Sequence, residues 1–104
     1  MKKGQGEEVT MRSFKELQTE VIHNRAKRGW SSATDINCTI SGLAEELGEF
    51  ARAVREGEPK AMAKELADVA IFCLGGFEIL GVDGHEVIDR VVAENAERAY
   101  KTHH

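Results

Sequence analysis

The chain has 104 residues, enough for one domain with a single modest core. Apolar residues make up 41% and charged residues 31%, ordinary globular usage that excludes a disordered chain and a membrane protein. With 18 acidic side chains against 14 basic ones, a net charge of −4 and no long basic run, a nucleic-acid backbone is excluded as a partner.

Residues 1–11 are polar, glycine-containing and without periodicity, which predicts a flexible tail. The segment carries charge but no apolar run, so no secretory signal is read there and a cytoplasmic location is expected. Ser13 followed three residues later by Glu16 forms a capping box, and the first helix runs from there to Lys27 or Arg28, stopped by Gly29. "WSSATD" connects to a second helix, in which Ile36, Ile40, Leu43, Leu47, Phe50 and Val54 recur at helical spacing up to Gly57.

Pro59 is well placed to start a third helix, which Gly81 ends. Its apolar run from Val69 to Phe77 lies between Asp68 and Glu78 and is far shorter than the ~20 residues a bilayer requires. The second half of this helix is apolar on every side, whereas a surface helix keeps a polar face. Helix three is therefore expected to be central or to face another chain, with a homodimer built near it as the economical arrangement. Asp83 and Glu86 mark the start of a fourth helix running to about Tyr100. The expectation is an all-α four-helix bundle over residues 12–101, followed by a short tail at 102–104 that holds His103 and His104. Cys38 and Cys73 sit in mainly apolar helical settings without CxxC spacing and read as reduced thiols.

The chemistry concentrates in carboxylates. Glu45, Glu46 and Glu49 lie within about one turn of helix two, well over a right angle from its apolar residues, and carboxylates three and four apart repel each other. Taken alone they read as a solvated acidic face, with Arg52 relieving Glu49. Helix three changes this, because Glu65 and Asp68 stand one turn apart at the entrance to its apolar run. An ionised Asp among Leu66, Ala67, Val69, Ala70 and Ile71 requires a partner, and Lys64 can serve only one carboxylate well. The short connection makes helices two and three antiparallel neighbours and sets residues 46–49 level with 65–68.

Such convergence invites a divalent cation. Oxygen-only ligands favour Mg²⁺, Mn²⁺ or Ca²⁺ over zinc, and magnesium is commonly shared with substrate phosphates. A di-iron carboxylate bundle requires a Glu-x-x-His pair from each of two helices, which the chain does not supply.

"EELGE" (Glu45, Glu46, Glu49) followed after a spacer by "ELAD" (Glu65, Asp68) resembles the paired EExxE and ExxD signature of the MazG-like all-α nucleoside triphosphate pyrophosphohydrolases, over roughly Phe14 to Tyr100. The resemblance implies Mg²⁺, with Mn²⁺ as the alternative, held by Glu46, Glu49, Glu65 and Asp68, and water attack at the α-phosphorus of an NTP or dNTP. It implies a catalytic role for Glu45, Glu46 and Glu49, with Glu45 outside the direct ligands, on a second metal or orienting the water. Asn95 and Arg98 in "ENAER" resemble a phosphate-contacting Asn-x-x-Arg. Val91 stands where relatives often carry Lys, and Arg90 or Lys101 is the substitute. Trp30 and Phe72 resemble aromatic positions that line the nucleoside pocket.

The expected activity is thus Mg²⁺-dependent hydrolysis of nucleoside triphosphates by a homodimer or homotetramer, clearing excess or non-standard nucleotides. Phosphoribosyl-ATP pyrophosphohydrolase is the alternative with the same metal chemistry. A non-catalytic helical dimer stabilised by metal is the alternative from another class.

Overall fold

The computed structural model describes residues 10–29 and 34–102, with side chains as far as Arg98. Residues 1–9, Trp30, His103 and His104 lie outside the described residues, as does the side chain of Lys101. Four helices follow in order: α1 (Phe14–Lys27), α2 (Ile36–Glu56), α3 (Pro59–Leu80) and α4 (Gly84–Thr102). No strand occurs among the described residues.

Local chemistry sets the helix ends. The Ser13 hydroxyl accepts from Glu16 N at 3.1 Å while Glu16 Oε1 accepts from Ser13 N at 2.8 Å, completing the capping box. Asp35 caps α2 by accepting from Asn37 N at 2.9 Å, and Asp83 Oδ1 caps α4 by accepting from His85 N at 3.0 Å. Gly57 and Gly81 end α2 and α3 at φ values of 71° and 73°, a left-handed conformation that glycine adopts without a Cβ penalty. The sequence places the Ser13–Glu16 box, the Asp83 start and the Gly57 and Gly81 stops; the Asp35 cap lies within the expected connector, and α4 runs two residues beyond the expected end.

α2 and α3 form the main antiparallel pair, and α3 also packs against α1 and α4. The face α2 turns to α3 is not its apolar one. Thr39, Gly42 and Ala53 are buried there and Glu46 is half-buried between them. At 100° per residue, the stripe Ile36, Ile40, Leu43, Leu47, Phe50, Val54 points about a quarter turn away. Ile40 is left 65% exposed and Leu47 59%. Ala53 is the one fully buried apolar residue among those described. The Cα radius of gyration is 17.1 Å, against roughly 13 Å for a compact domain of about this length.

α1 docks through polar side chains. Gln18, 1% exposed, donates to Glu78 Oε1 at 3.0 Å and to the Val82 carbonyl at 2.8 Å, and accepts from Gly84 N at 2.9 Å. Two turns on, Arg25 is 3% exposed. α4 is anchored at its start, and every described residue from Ile88 to Arg98 is exposed. Cys38 is half-buried and Cys73 exposed, and both are free thiols. Among the described residues no helix is long and apolar enough to cross a membrane.

Candidate functional site

The α2–α3 register is read from three contacts along the pair. Thr39 lies against Gly76, Gly42 against Phe72, and Glu46 beside Glu65 and Asp68. Gly42 permits the close approach, because a Cβ there would overlap the Phe72 ring. The result is a group of three half-buried carboxylates, Glu46, Glu65 and Asp68, with ligand oxygens all within 4.8 Å of one another.

Their electrostatics show the cost of the meeting. Desolvation first, then the charges of Asp68, Glu65 and Glu45, push the Glu46 carboxyl above its ordinary range, with Lys64 opposing. Lys64, on the solvent side of α3, donates to Asp68 Oδ2 at 2.9 Å and stands 3.9 Å from Glu65 Oε2. That hydrogen bond and the fields of Asp68 and Glu65 raise the ammonium's pKa.

The donor set is oxygen only, which suits a hard divalent cation. Ligands in an octahedron of about 2.1 Å radius sit about 3 to 4 Å apart, so the three oxygens fit after a small inward movement. Glu49 occupies the same α3-facing side of α2, but its carboxylate lies 3.8 Å from Arg52 and outside the group of three. Glu45 is exposed beside Glu46. One Glu-x-x-His pair does exist, Glu20 with His23 on α1. Glu20 is paired instead with Arg12 at 3.1 Å, and neither residue joins the acidic group.

A cleft of about 850 Å³ opens beside this group, lined by Glu45, Glu46 and Asp68 and, from α1, by Glu20, Asn24, Arg25 and Arg28. Phe72 lines it, with the Arg25 guanidinium carbon 4.6 Å from the ring centroid. Gly75 makes room for that arginine, since a Cβ there would stand 2.7 Å from both Nη atoms. Burial first, then the neighbouring Arg28 charge, lowers the Arg25 pKa, with Cys38 opposing. A second concavity, on the outer face of α1 between Thr10 and His23, holds no part of the acidic group.

The α4 candidates stand apart from the cleft. Asn95 and Arg98 are hydrogen-bonded to each other, Arg98 donating to the Asn95 side-chain oxygen, and both are exposed, as is Arg90. None of the three lines the cleft. Trp30 falls outside the described residues. Sequence reasoning missed Arg25 and Arg28. The signal for Arg25 was the pair Gly75–Gly76, small residues in a helix that is otherwise bulky and apolar.

No curated protein and no solved structure matches the chain. Residues 35–103 match the family model described as MazG nucleotide pyrophosphohydrolase domain.

Proposed function

The chain belongs to the MazG nucleotide pyrophosphohydrolase domain family, and from that premise we propose that it hydrolyses NTPs or dNTPs to the monophosphate and pyrophosphate. The observation that carries this reading is the meeting of Glu46, Glu65 and Asp68 across α2 and α3 beside a cleft of nucleotide size. Residues 12–101 form the catalytic domain, acting in the cytoplasm on excess or non-standard nucleotides.

Glu46, Glu65 and Asp68 hold the cation, and Glu49 joins them by turning from Arg52. Mg²⁺, or Mn²⁺ in its place, supplies neutralisation of phosphate charge and polarisation of the α-phosphoryl group when bound. Water attacks the α-phosphorus in line, the bond to the bridging oxygen of the β-phosphate breaks, and pyrophosphate leaves. Glu45, exposed and lining the cleft, would orient the water. The water's proton passes to a cleft carboxylate. Phe72, with Trp30, contacts the nucleoside.

The active species is a homodimer or a dimer of dimers, with α3 central and near the interface. Support comes from the uncovered α2 stripe, from Leu66 at 51% and Ile71 at 41% exposure on α3, and from the large radius of gyration. Assembly also brings the Asn95–Arg98 pair and Arg90 to the phosphates, since they do not line the cleft of their own chain.

A panel of NTPs and dNTPs with Mg²⁺ tests the reading by pyrophosphate release. Wild type cleaves, and Asp68→Asn loses about 100-fold or more in kcat. The same variant melts without metal within about 3 °C of wild type, because the lost exposed ion pair and the relieved carboxylate repulsion offset each other. Cleavage of phosphoribosyl-ATP alone would reassign the substrate. Thermal stabilisation by Mg²⁺ with no cleavage of any triphosphate would make the protein a metal-stabilised helical dimer.

A further inference from the structure

Among the described residues α2 meets no helix but α3, and each of the two carries an apolar row that is exposed or half-buried. On α2 the row is Ile36, Ile40, Leu43, Leu47, Phe50 and Val54; on α3 it is Met62, Leu66, Val69, Cys73 and Leu80, the last 62% exposed. At 100° per residue each row stands about a quarter turn from the line along which its helix touches the other, and in the same rotational sense. The helices are antiparallel, so equal turns in one sense bring both rows to one side of the pair. α1 docks on the opposite side of α3, against Gly75 and Glu78. The two rows therefore make a single apolar face, and the cleft that α1 borders opens away from it.

This face is self-complementary. The pairs Ile36 with Val54, Ile40 with Phe50 and Leu43 with Leu47 are each centred on residue 45. On α3, Met62 with Leu80 and Val69 with Cys73 are centred on residue 71, and Leu66 is mirrored by Gly76, which has no side chain to obstruct it. Thr39 against Gly76 and Gly42 against Phe72 set residue 45 level with about residue 69, so the two centres lie within about 3 Å of one level. One two-fold axis lying across the face at that level turns both rows onto themselves reversed, which is what an isologous contact requires. Ile36 then meets the partner's Val54, Ile40 the partner's Phe50 and Leu43 the partner's Leu47.

Charge and area suit the same occupant. Neither row holds an Asp, Glu, Lys or Arg, and the outer flank of α2 from Asn37 through Ser41, Ala44 and Gly48 to Ala51 is uncharged, so no like charges meet across it. Antiparallel helices also set opposite ends of their macrodipoles side by side. Helices of 21 and 22 residues give a face about 30 Å long and about 20 Å wide. A footprint of that size buries roughly 800 Å² per partner, the standard for a stable complex.

We propose that this face binds a second copy of the chain, α2 antiparallel to α2 and α3 antiparallel to α3, about one two-fold axis level with Glu45. The arrangement rests on the homodimer put forward above, adds its axis and register, and is independent of the hydrolysis. Both acidic groups then lie at one level with their clefts facing outward, so each chain can take substrate without displacing its partner.

Ala44→Cys and Ala51→Cys, each in a Cys38→Ala, Cys73→Ala chain treated with a short bismaleimide, read the register. Both alanines are exposed, lie one heptad apart on the same flank of α2 and leave the row intact. Ala44→Cys, beside the axis, yields a covalent dimer. Ala51→Cys, about 18 Å along the helices from its own counterpart, yields at least tenfold less. Equal yields at the two positions would mean parallel α2 helices and overturn the proposal. No cross-link in Ala44→Cys while the chain sediments as a dimer would overturn it as well and move the homodimer to another surface. A chain that sediments as a monomer at every concentration would overturn both the arrangement and the homodimer. None of these outcomes touches the hydrolase reading, which pyrophosphate release tests by itself.

Discussion

The ammonium of Lys64 stands 2.9 Å from Asp68 Oδ2, one helical turn along α3, and holds a place among the carboxylates that a divalent cation would otherwise neutralise. Cation binding therefore sets a second positive charge against Lys64. Lys64→Gln should tighten Mg²⁺ binding several-fold while lowering the melting temperature of the metal-free protein. Calorimetric Mg²⁺ titration and a melt in chelator measure the two effects, and both moving the same way would remove Lys64 from the metal equilibrium.

Glu46 gives the site a pH dependence of defined sign. Its carboxyl is raised above the ordinary 4.5 by desolvation and by Asp68, Glu65 and Glu45, so the folded metal-free state binds its proton more tightly than the unfolded chain. Stability is thus lost as pH rises from the ordinary carboxylate range through the raised value. The melting temperature of metal-free wild type, minus that of Glu46→Gln, should fall over this interval. Saturating Mg²⁺ should abolish the trend, because the cation favours the ionised form. A flat difference without metal would show that Glu46 does not sense its neighbours.

Gly42 is a packing requirement on the same helix. Alanine is favoured over glycine in a helix interior by about 1 kcal/mol, so Gly42→Ala would stabilise an isolated α2. Its Cβ meets the Phe72 ring in the folded protein, and overpacking of this kind costs about 1 to 3 kcal/mol. A net loss of about 1 kcal/mol in chemical denaturation is expected, with Gly48→Ala, where nothing lies within 4 Å, gaining stability instead.

The apolar stripe of α2 repeats at alternating steps of four and three residues, the spacing of a two-helix seam. For the homodimer proposed above, Leu47→Lys on that stripe should raise the dissociation constant at least about tenfold, near 1.4 kcal/mol. Sedimentation over a concentration series reads this directly. Glu56→Lys, an exposed residue off the stripe, serves as the charge control.

The sequence carried the helix ends because caps are local chemistry. Ser13 with Glu16, Gly57, Pro59 and Gly81 each act within a turn of their own position. It also carried the meeting of Glu46 with Glu65 and Asp68, since a two-residue connection between α2 and α3 leaves one antiparallel arrangement and the level can be counted from the turn. Other features did not follow from pattern. Hydropathy assigns buried faces to apolar residues, yet α1 docks through Gln18 and Arg25, which a polarity count places in solvent. By the same measure hydropathy alone would turn α2's apolar stripe inward, while α3 packs on Thr39, Gly42 and Glu46, small or polar residues that allow the helices to approach. The Glu49–Arg52 pairing is legible in their three-residue spacing; that Glu49 takes it and stays outside the acidic group is a rotamer choice that spacing does not decide.

Gln18 fastens Glu78, Val82 and Gly84 with a single amide, so α1, the end of α3 and the first turn of α4 share one joint. Arg98 lies 14 residues beyond Gly84, about 21 Å along the helix axis. In a lone chain α4 is therefore a lever with a fixed fulcrum and an unloaded arm. Amide hydrogen exchange along it should quicken from Gly84 outward, and slow again along the arm alone when a second copy bears on it.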